Sequence, residues 1–254
     1  MLLGCFWGAH SGTSEMFKPT TTANPNPYPN PTQTELHQVL EWAVNNGAQM
    51  NNLVCCLAAQ HGHLDVVKFA RGHNAPWDDL TTAAAAEGGS LDTLKWCYQN
   101  GCPLGKQVCA NAATKGHLDV LVWARSEGCP WGLECGALAA SSGQLAVLQW
   151  LRDNGAPWKD TDIAMAAAAA GHLDVLEYLH SCGTQWDTTT TAAAAEACHL
   201  DCLKFLHAAG CPLDERTCYW AMLKRRKDVY HFAITNGASC DEDTKARAVE
   251  MGFI

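Results

Sequence analysis

The sequence predicts an all-α fold, a solenoid of stacked helix-turn-helix units. Three observations point there: a motif recurring in one register, copies that each resolve into two unlike helices, and Gly and Pro punctuating them at fixed places. The composition agrees. Of 254 residues, 48% are apolar and 17% charged, and the mean hydropathy is −0.13, values of a chain that folds and stays in solution. No run approaches the ~18 consecutive apolar residues of a spanning helix. Lys and Arg number 17 against 26 Asp and Glu, a net charge of −9, which argues against nucleic acid or an anionic membrane as a partner, since both need clustered positive charge. The opening Met1-Leu2-Leu3-Gly4-Cys5-Phe6-Trp7 has no Lys or Arg before it and does not read as a secretory signal.

The motif is Gly62-His63-Leu64-Asp65-Val66-Val67-Lys68-Phe69, repeated as Gly89-Ser90-Leu91-Asp92-Thr93-Leu94-Lys95-Trp96 and Gly116-His117-Leu118-Asp119-Val120-Leu121-Val122-Trp123. Gly143 to Trp150, Gly171 to Tyr178 and Cys198 to Phe205 continue it, and its aromatic position extends to Trp42 and Phe232. The aromatics stand at 42, 69, 96, 123, 150, 178, 205 and 232, in steps of 27 with one of 28.

The segment after Gly-His has apolar residues such as Leu173, Val175, Leu176, Tyr178 and Leu179, an arc of about 220° at 100° per residue, too wide for a surface helix with one apolar stripe. It must be buried on several sides, its aromatic included. An Asp in its first turn suits the dipole, and Asn-Gly or Gly128 at its end suits a left-handed cap. The companion helix is built of small residues: Thr82 to Ala86, Ala110 to Ala113, Ala164 to Ala170, Thr191 to Ala195. Alanine favours the helix and lets neighbours approach closely, and the Thr ahead of it is expected to cap it. Loops such as Cys129-Pro130-Trp131 join one unit to the next. A single pair cannot bury this much apolar surface; stacked copies can, and the slimmer Ala helices should form the concave side.

The stretch Ala58-Ala59-Gln60-His61-Gly62-His63-Leu64-Asp65-Val66-Val67-Lys68-Phe69 resembles an ankyrin repeat, and the signature returns, more loosely, in every unit over about 215 residues. The period is 27 rather than the family's 33, and Thr81-Thr82-Ala83-Ala84 stands where ankyrins carry Thr-Pro-Leu-His. The shortening falls on the protruding finger, as in the short, Trp- and Cys-Pro-bearing variety associated with unicellular eukaryotes and large DNA viruses. The resemblance implies a role in binding other proteins through the fingers and the concave face of the first helices. With the finger cut back, the weight moves to that groove and to the loops bearing Trp77, Trp131, Trp158 and Trp186.

Residues 1–33, with Pro25, Pro27, Pro29 and Pro31 among Asn, read as a disordered tail, and residues 34–254 as a solenoid of about eight units with the terminal ones as caps. Lys224-Arg225-Arg226-Lys227 reads as a solvated cap, with a nuclear-import role as the alternative.

No catalytic constellation stands outside the repeat, so the chain is not expected to be an enzyme or to carry a cofactor. His63, His117, His172 and His199 each precede Asp by two residues; a pairing repeated along a rod reads as polar satisfaction of the turn, not catalysis. Cys102, Cys129 and Cys211 share a position with Ala75 and Ala156 and read as small buried side chains. Equivalent cysteines about 10 Å apart lie beyond the ~7 Å limit between Cα atoms for a disulfide. The best metal candidate, Cys198-His199-Leu200-Asp201-Cys202 with His207, occupies ordinary repeat positions, and no C-x-x-C pair occurs. Trp77, Trp131, Trp158 and Trp186 either plug the joint between units or anchor a partner; Leu104 and Leu213 at the same place favour the plug.

The expected function is a monomeric, intracellular, cytoplasmic scaffold or adaptor that binds a protein partner. Specificity would sit in those tryptophans and in first-helix residues that vary between equivalent positions, Asn111, Met165, Tyr219 and Trp220. The alternative is a thiol-based sensor or metal-binding protein using the 14 cysteines.

Overall fold

The computed structural model describes residues 33–254, which form sixteen helices and no strand among the described residues. Helix α1 (Gln33–Asn45) stands alone. Seven pairs follow: α2 (Asn52–Gln60) with α3 (Leu64–Gly72), α4 (Asp79–Glu87) with α5 (Leu91–Gln99), α6 (Gln107–Lys115) with α7 (Leu118–Ser126), α8 (Glu134–Ser141) with α9 (Leu145–Asp153), α10 (Asp160–Ala170) with α11 (Leu173–Ser181), α12 (Thr188–Glu196) with α13 (Leu200–Ala208), and α14 (Glu215–Leu223) with α15 (Lys227–Thr235). Helix α16 (Glu242–Glu250) closes the array. In the repeat register, among the described residues, α1 is a second helix without a first and α16 a first helix without a second. The tail expected over residues 1–33 lies outside the described residues except for Gln33, which begins α1.

First helices pack on first helices from α2 through to α16, more extensively than second helices pack on one another. Alanine is the reason. Ala85, Ala86, Ala112, Ala113, Ala139, Ala140, Ala167, Ala168, Ala194 and Ala195 have no exposed surface, so these backbones approach closely and the stack bends toward them. Behind them Leu94, Leu121, Leu148, Leu176 and Leu203 form the second layer of one continuous core.

The capping differs from expectation. The caps are Asp78, Asp187, Asp214 and Asp241, whose carboxylates accept from the amides of Leu80, Thr189, Arg216 and Thr244, and Asn51 accepts from Val54. These residues are extended, as a cap requires, so the helices start earlier than the threonines. Thr82 and Thr191 lie inside, buried, and donate across the joint to the carbonyls of Pro103, at 2.7 Å, and Pro212, at 2.8 Å.

The expected core aromatics are also placed differently. Trp96, Trp123, Trp150, Tyr178, Phe205 and Phe232 are half-buried and packed on the core from outside, Phe69 is half-buried, and Trp42 is 66% exposed. The innermost positions of the second helices go to the shorter Val, Leu and Ala columns, which leaves the long rings to cover the outer surface.

The turn within each pair sets the stacking register. Its glycine has positive φ, for example +69° at Gly89 and +81° at Gly171, and the next unit's side chain fills the space beside it. A Cβ on Gly89, Gly143 or Gly171 would come within 2.6–2.7 Å of the ring of His117, His172 or His199. The histidines therefore serve the joint between units rather than their own turn: Nε2 of His117 is 3.1 Å from the Glu87 carbonyl oxygen, and that of His172 is 3.2 Å from that of Ser141. The cysteines before proline make a weaker tie of the same kind. Cys102 and Cys211 donate to the carbonyls of Asp78 and Asp187 in the preceding loops, each at 3.1 Å, and Cys129 to that of Gly105 at 3.4 Å.

Candidate functional site

In α4, α12 and α14 the third, fourth, seventh and eighth residues are buried and the second, fifth, sixth and ninth form the opposite face; α10 starts one residue earlier in this register, so its positions count one later. In α10 the outward residues are Asp162, Met165, Ala166 and Ala169; in α14 they are Arg216, Tyr219, Trp220 and Leu223. Apolar residues on this stripe are exposed at Leu80 (55%), Met165 (40%), Tyr219 (39%) and Leu223 (47%), with Leu133 beside it (59%). The units between are low. Ala192 of α12 holds the same position as Met165 and Tyr219 and is nearly flush, at 5% exposed. The stripe thus has a smooth alanine step between two tall side chains, a shape that accepts a protruding apolar group. Its charges are few and exposed: Lys159 with Asp162 at 2.8 Å, and Lys115 with Glu87 at 3.5 Å, pairs worth little in solvent.

Trp220 packs on the core and edge-on against Tyr219, at 5.4 Å between centroids. Beyond them Tyr219, Met222, Asp241, Asp243, Thr244 and Arg247 line a shallow depression where α14 meets α16. Asn111, in the middle of the stripe, donates to the carbonyl of Ala83 at 3.0 Å, so its amide nitrogen is committed to the preceding helix.

The loop tryptophans sit in the joints, half-buried. Arg71 stacks on Trp77 at 4.2 Å, Arg125 on Trp131 at 3.9 Å and Arg152 on Trp158 at 5.4 Å, while His180 lies parallel to Trp186 at 5.5 Å. Three of these rings also meet the next unit's aromatic edge-on: Trp96, Trp150 and Phe205. Each cation lies six residues before its tryptophan, a spacing visible in the sequence once helix 2 and the loop are drawn together. Trp158 also donates from Nε1 to Asp160, its neighbour in sequence, at 2.8 Å.

All thirteen described cysteines are free, nine of them buried; Cys5 lies outside the described residues. Burial pushes the thiols of Cys55, Cys202 and Cys211 up to about 11, and those of Cys97 and Cys102 up to about 12. Non-equivalent cysteines come near one another. The Cys109 thiol of α6 lies 3.9 Å from the carbonyl oxygen of Cys129 in the following loop, and the neighbouring Cys129 side chain together with burial holds it well above the ordinary range. Burial first and the Cys240 side chain second raise the thiol of Cys218 in α14. Among the described residues no three His, Cys, Asp or Glu side chains come together as a metal site; Cys202 faces the core, and the His199 ring lies over Gly171. Of the thirteen described cysteines, a thiol reagent on native protein, mapped by peptide mass spectrometry, should label quickly only Cys56, Cys182, Cys198 and Cys240 and reach the other nine after denaturation. Fast labelling of any of the nine would show that the buried set opens.

A family model described as ankyrin repeats in many copies matches residues 137–180, from within α8 to the end of α11. The array has the ankyrin-repeat fold. The ankyrin repeat domain of human ASB11, known from a crystal structure, is similar to it at a TM-score of 0.51 and 18% identity, over 62% of this chain and 84% of that one. No curated protein sequence matches the chain. Ankyrin repeats are in general protein–protein interaction modules. Among the described residues no helix is long and apolar enough to cross a membrane.

Proposed function

We propose that this ankyrin array is a scaffold or adaptor that takes a protein partner onto the outward stripe of its first helices, working as a monomer in the cytoplasm and without chemistry of its own. The observation that carries this reading is the alanine step at Ala192 between Met165 and Tyr219, an exposed apolar relief on a surface fixed by close packing. A surface ordered before binding loses little entropy on association, and an interface of about 800 Å² per side fits such an array. Met165, Tyr219 and Trp220 are the proposed anchors, and Asn111 discriminates through its carboxamide oxygen. Trp77, Trp131, Trp158 and Trp186 contribute by holding the units at fixed spacing and by the ring edges left at the rim.

The test is affinity capture from the source cell, with mass spectrometry, on the wild type and on Ala192→Arg. Met165 and Tyr219 show that this position accepts a long side chain, so the fold should survive, and a partner bound through the step should lose at least tenfold in affinity, about 1.4 kcal/mol. The proposal fails if Ala192→Arg, Ala83→Arg and Ala110→Arg all retain the same proteins as wild type while keeping its circular dichroism. Stoichiometric zinc on the purified protein would favour the thiol reading instead.

A further inference from the structure

The N-terminal end of the array is open where every later unit is closed. Val39 of α1 is 39% exposed, yet the same repeat position is buried at Val66, Thr93, Val120, Val147, Val175, Cys202 and Val229. Val54 of α2 is half-buried, while its equivalents from Thr81 to Thr244 are buried. Trp42 shows 66% of its surface. All of these residues border the place of one element, the first helix that would pair with α1 and lie against α2. The repeat register puts that helix at residues 25–33, which hold Pro25, Pro27, Pro29 and Pro31 and cannot supply it, since proline removes the helix donor and clashes with the preceding turn.

We propose that residues 2–7 of the same chain, Leu-Leu-Gly-Cys-Phe-Trp, cover this face, with Leu2, Leu3, Phe6 and Trp7 packing on Val39, Trp42 and Val54. Three features select this occupant over a second copy or a separate partner. The segment is strongly apolar and no charged residue precedes Glu15, matching a face of valine and tryptophan. The chain outside the described residues ends at the first residue of α1, beside the open face. The roughly two dozen residues between can span about 80 Å when extended, against about 20 Å for the length of α1. A tether of this kind supplies an effective concentration in the millimolar range, so four apolar side chains suffice without an optimised interface. Docked there, the segment closes the N-terminal end of the stack.

The test uses the full chain with a photo-reactive benzoylphenylalanine in place of Trp42, an exposed position that tolerates an aromatic replacement. Irradiation of an equimolar mixture of ¹⁴N- and ¹⁵N-labelled protein, then a protease that cuts after glutamate, should give a cross-link from position 42 to the peptide ending at Glu15, with both halves carrying one isotope. Replacing Leu2, Leu3, Phe6 and Trp7 together by Ser should lower its yield at least fivefold. The same Ser variant, with Trp42 intact, should speed amide exchange in α1 and α2 about tenfold and leave α8 to α11 unchanged. Mixed-isotope cross-links alone would assign the face to a second copy and overturn the proposal. So would the absence of a cross-link to the first 15 residues, an undiminished yield in the Ser variant, or unchanged exchange in α1 and α2.

Discussion

Gly171→Ala is expected to cost about 3 kcal/mol, and His199→Ala in the same chain to restore a large part of it. Two penalties combine at this residue. Its φ of +81° is strained for any residue with a Cβ, at about 1–2 kcal/mol. The new Cβ would also lie 2.6 Å from Cε1 and Nδ1 of His199, and overpacking of that kind costs about 1–3 kcal/mol. Gly155→Ala is the control, since its φ is +70° but nothing lies within 4 Å of the added Cβ; it should cost about 1 kcal/mol. The chain has already made the paired change once. Cys198 takes the glycine position at φ +65°, and the next unit there has Arg226 in place of histidine, reaching the Cys198 carbonyl at 3.4 Å. Thermal melts of the four variants, wild type included, decide the matter. If Gly171→Ala melts no lower than Gly155→Ala, the histidine ring does not set the spacing of the units.

That glycine–histidine pairing shows how far the sequence can be read. Both residues stand out in the motif, and each suggests a role within its own unit: the glycine a left-handed turn, the histidine a satisfied turn. The glycine has that role and a second one, while the histidine works on the unit before, about 28 residues away. The periodicity specifies the helices because 3.6-residue spacing acts within a few residues. It does not display contacts between one copy and the next, which require the stacking offset. The same limit hid the Cys109–Cys129 and Cys218–Cys240 meetings, because comparing equivalent cysteines never places a helix residue against a loop residue. Thr82 was assigned to a cap on residue type, but capping also needs extended backbone, and that belongs to Asp78. On the candidate surface, Met165 and Tyr219 were legible as departures from alanine at one repeat position. Leu80, Leu133 and Leu223 were not singled out, since leucine in a helical stretch reads as core until the buried positions of the first helix are known.

Leu148→Ala should lower the stability of the central unit by about 3–4 kcal/mol, the usual range for a leucine with no exposed surface, and the consequence should be local. Leu148 belongs to α9, and its unit packs chiefly on the units on either side. In an array of this kind stability is a sum of unit terms and nearest-neighbour interfaces, so a failing central unit loses its own core and both of its interfaces. Helices α2 to α7 keep their mutual contacts, as do α10 to α16. Hydrogen exchange should therefore accelerate first in α8 and α9, and the unfolding curve should separate into two transitions. Tyr230→Ala gives the contrast. Tyr230 is the largest fully buried side chain, but it lies in the last complete pair, so its loss should fray α14 to α16 and leave the curve for the remainder single. A uniform shift in both variants, with all amides exchanging together, would mean that the interfaces outweigh the units by so much that the array behaves as one cooperative body. Coupling of that strength would make the partner-binding stripe respond to substitutions several units away. With the weaker coupling expected here, the effect of a substitution on binding should fall off within about one neighbour of the unit it alters.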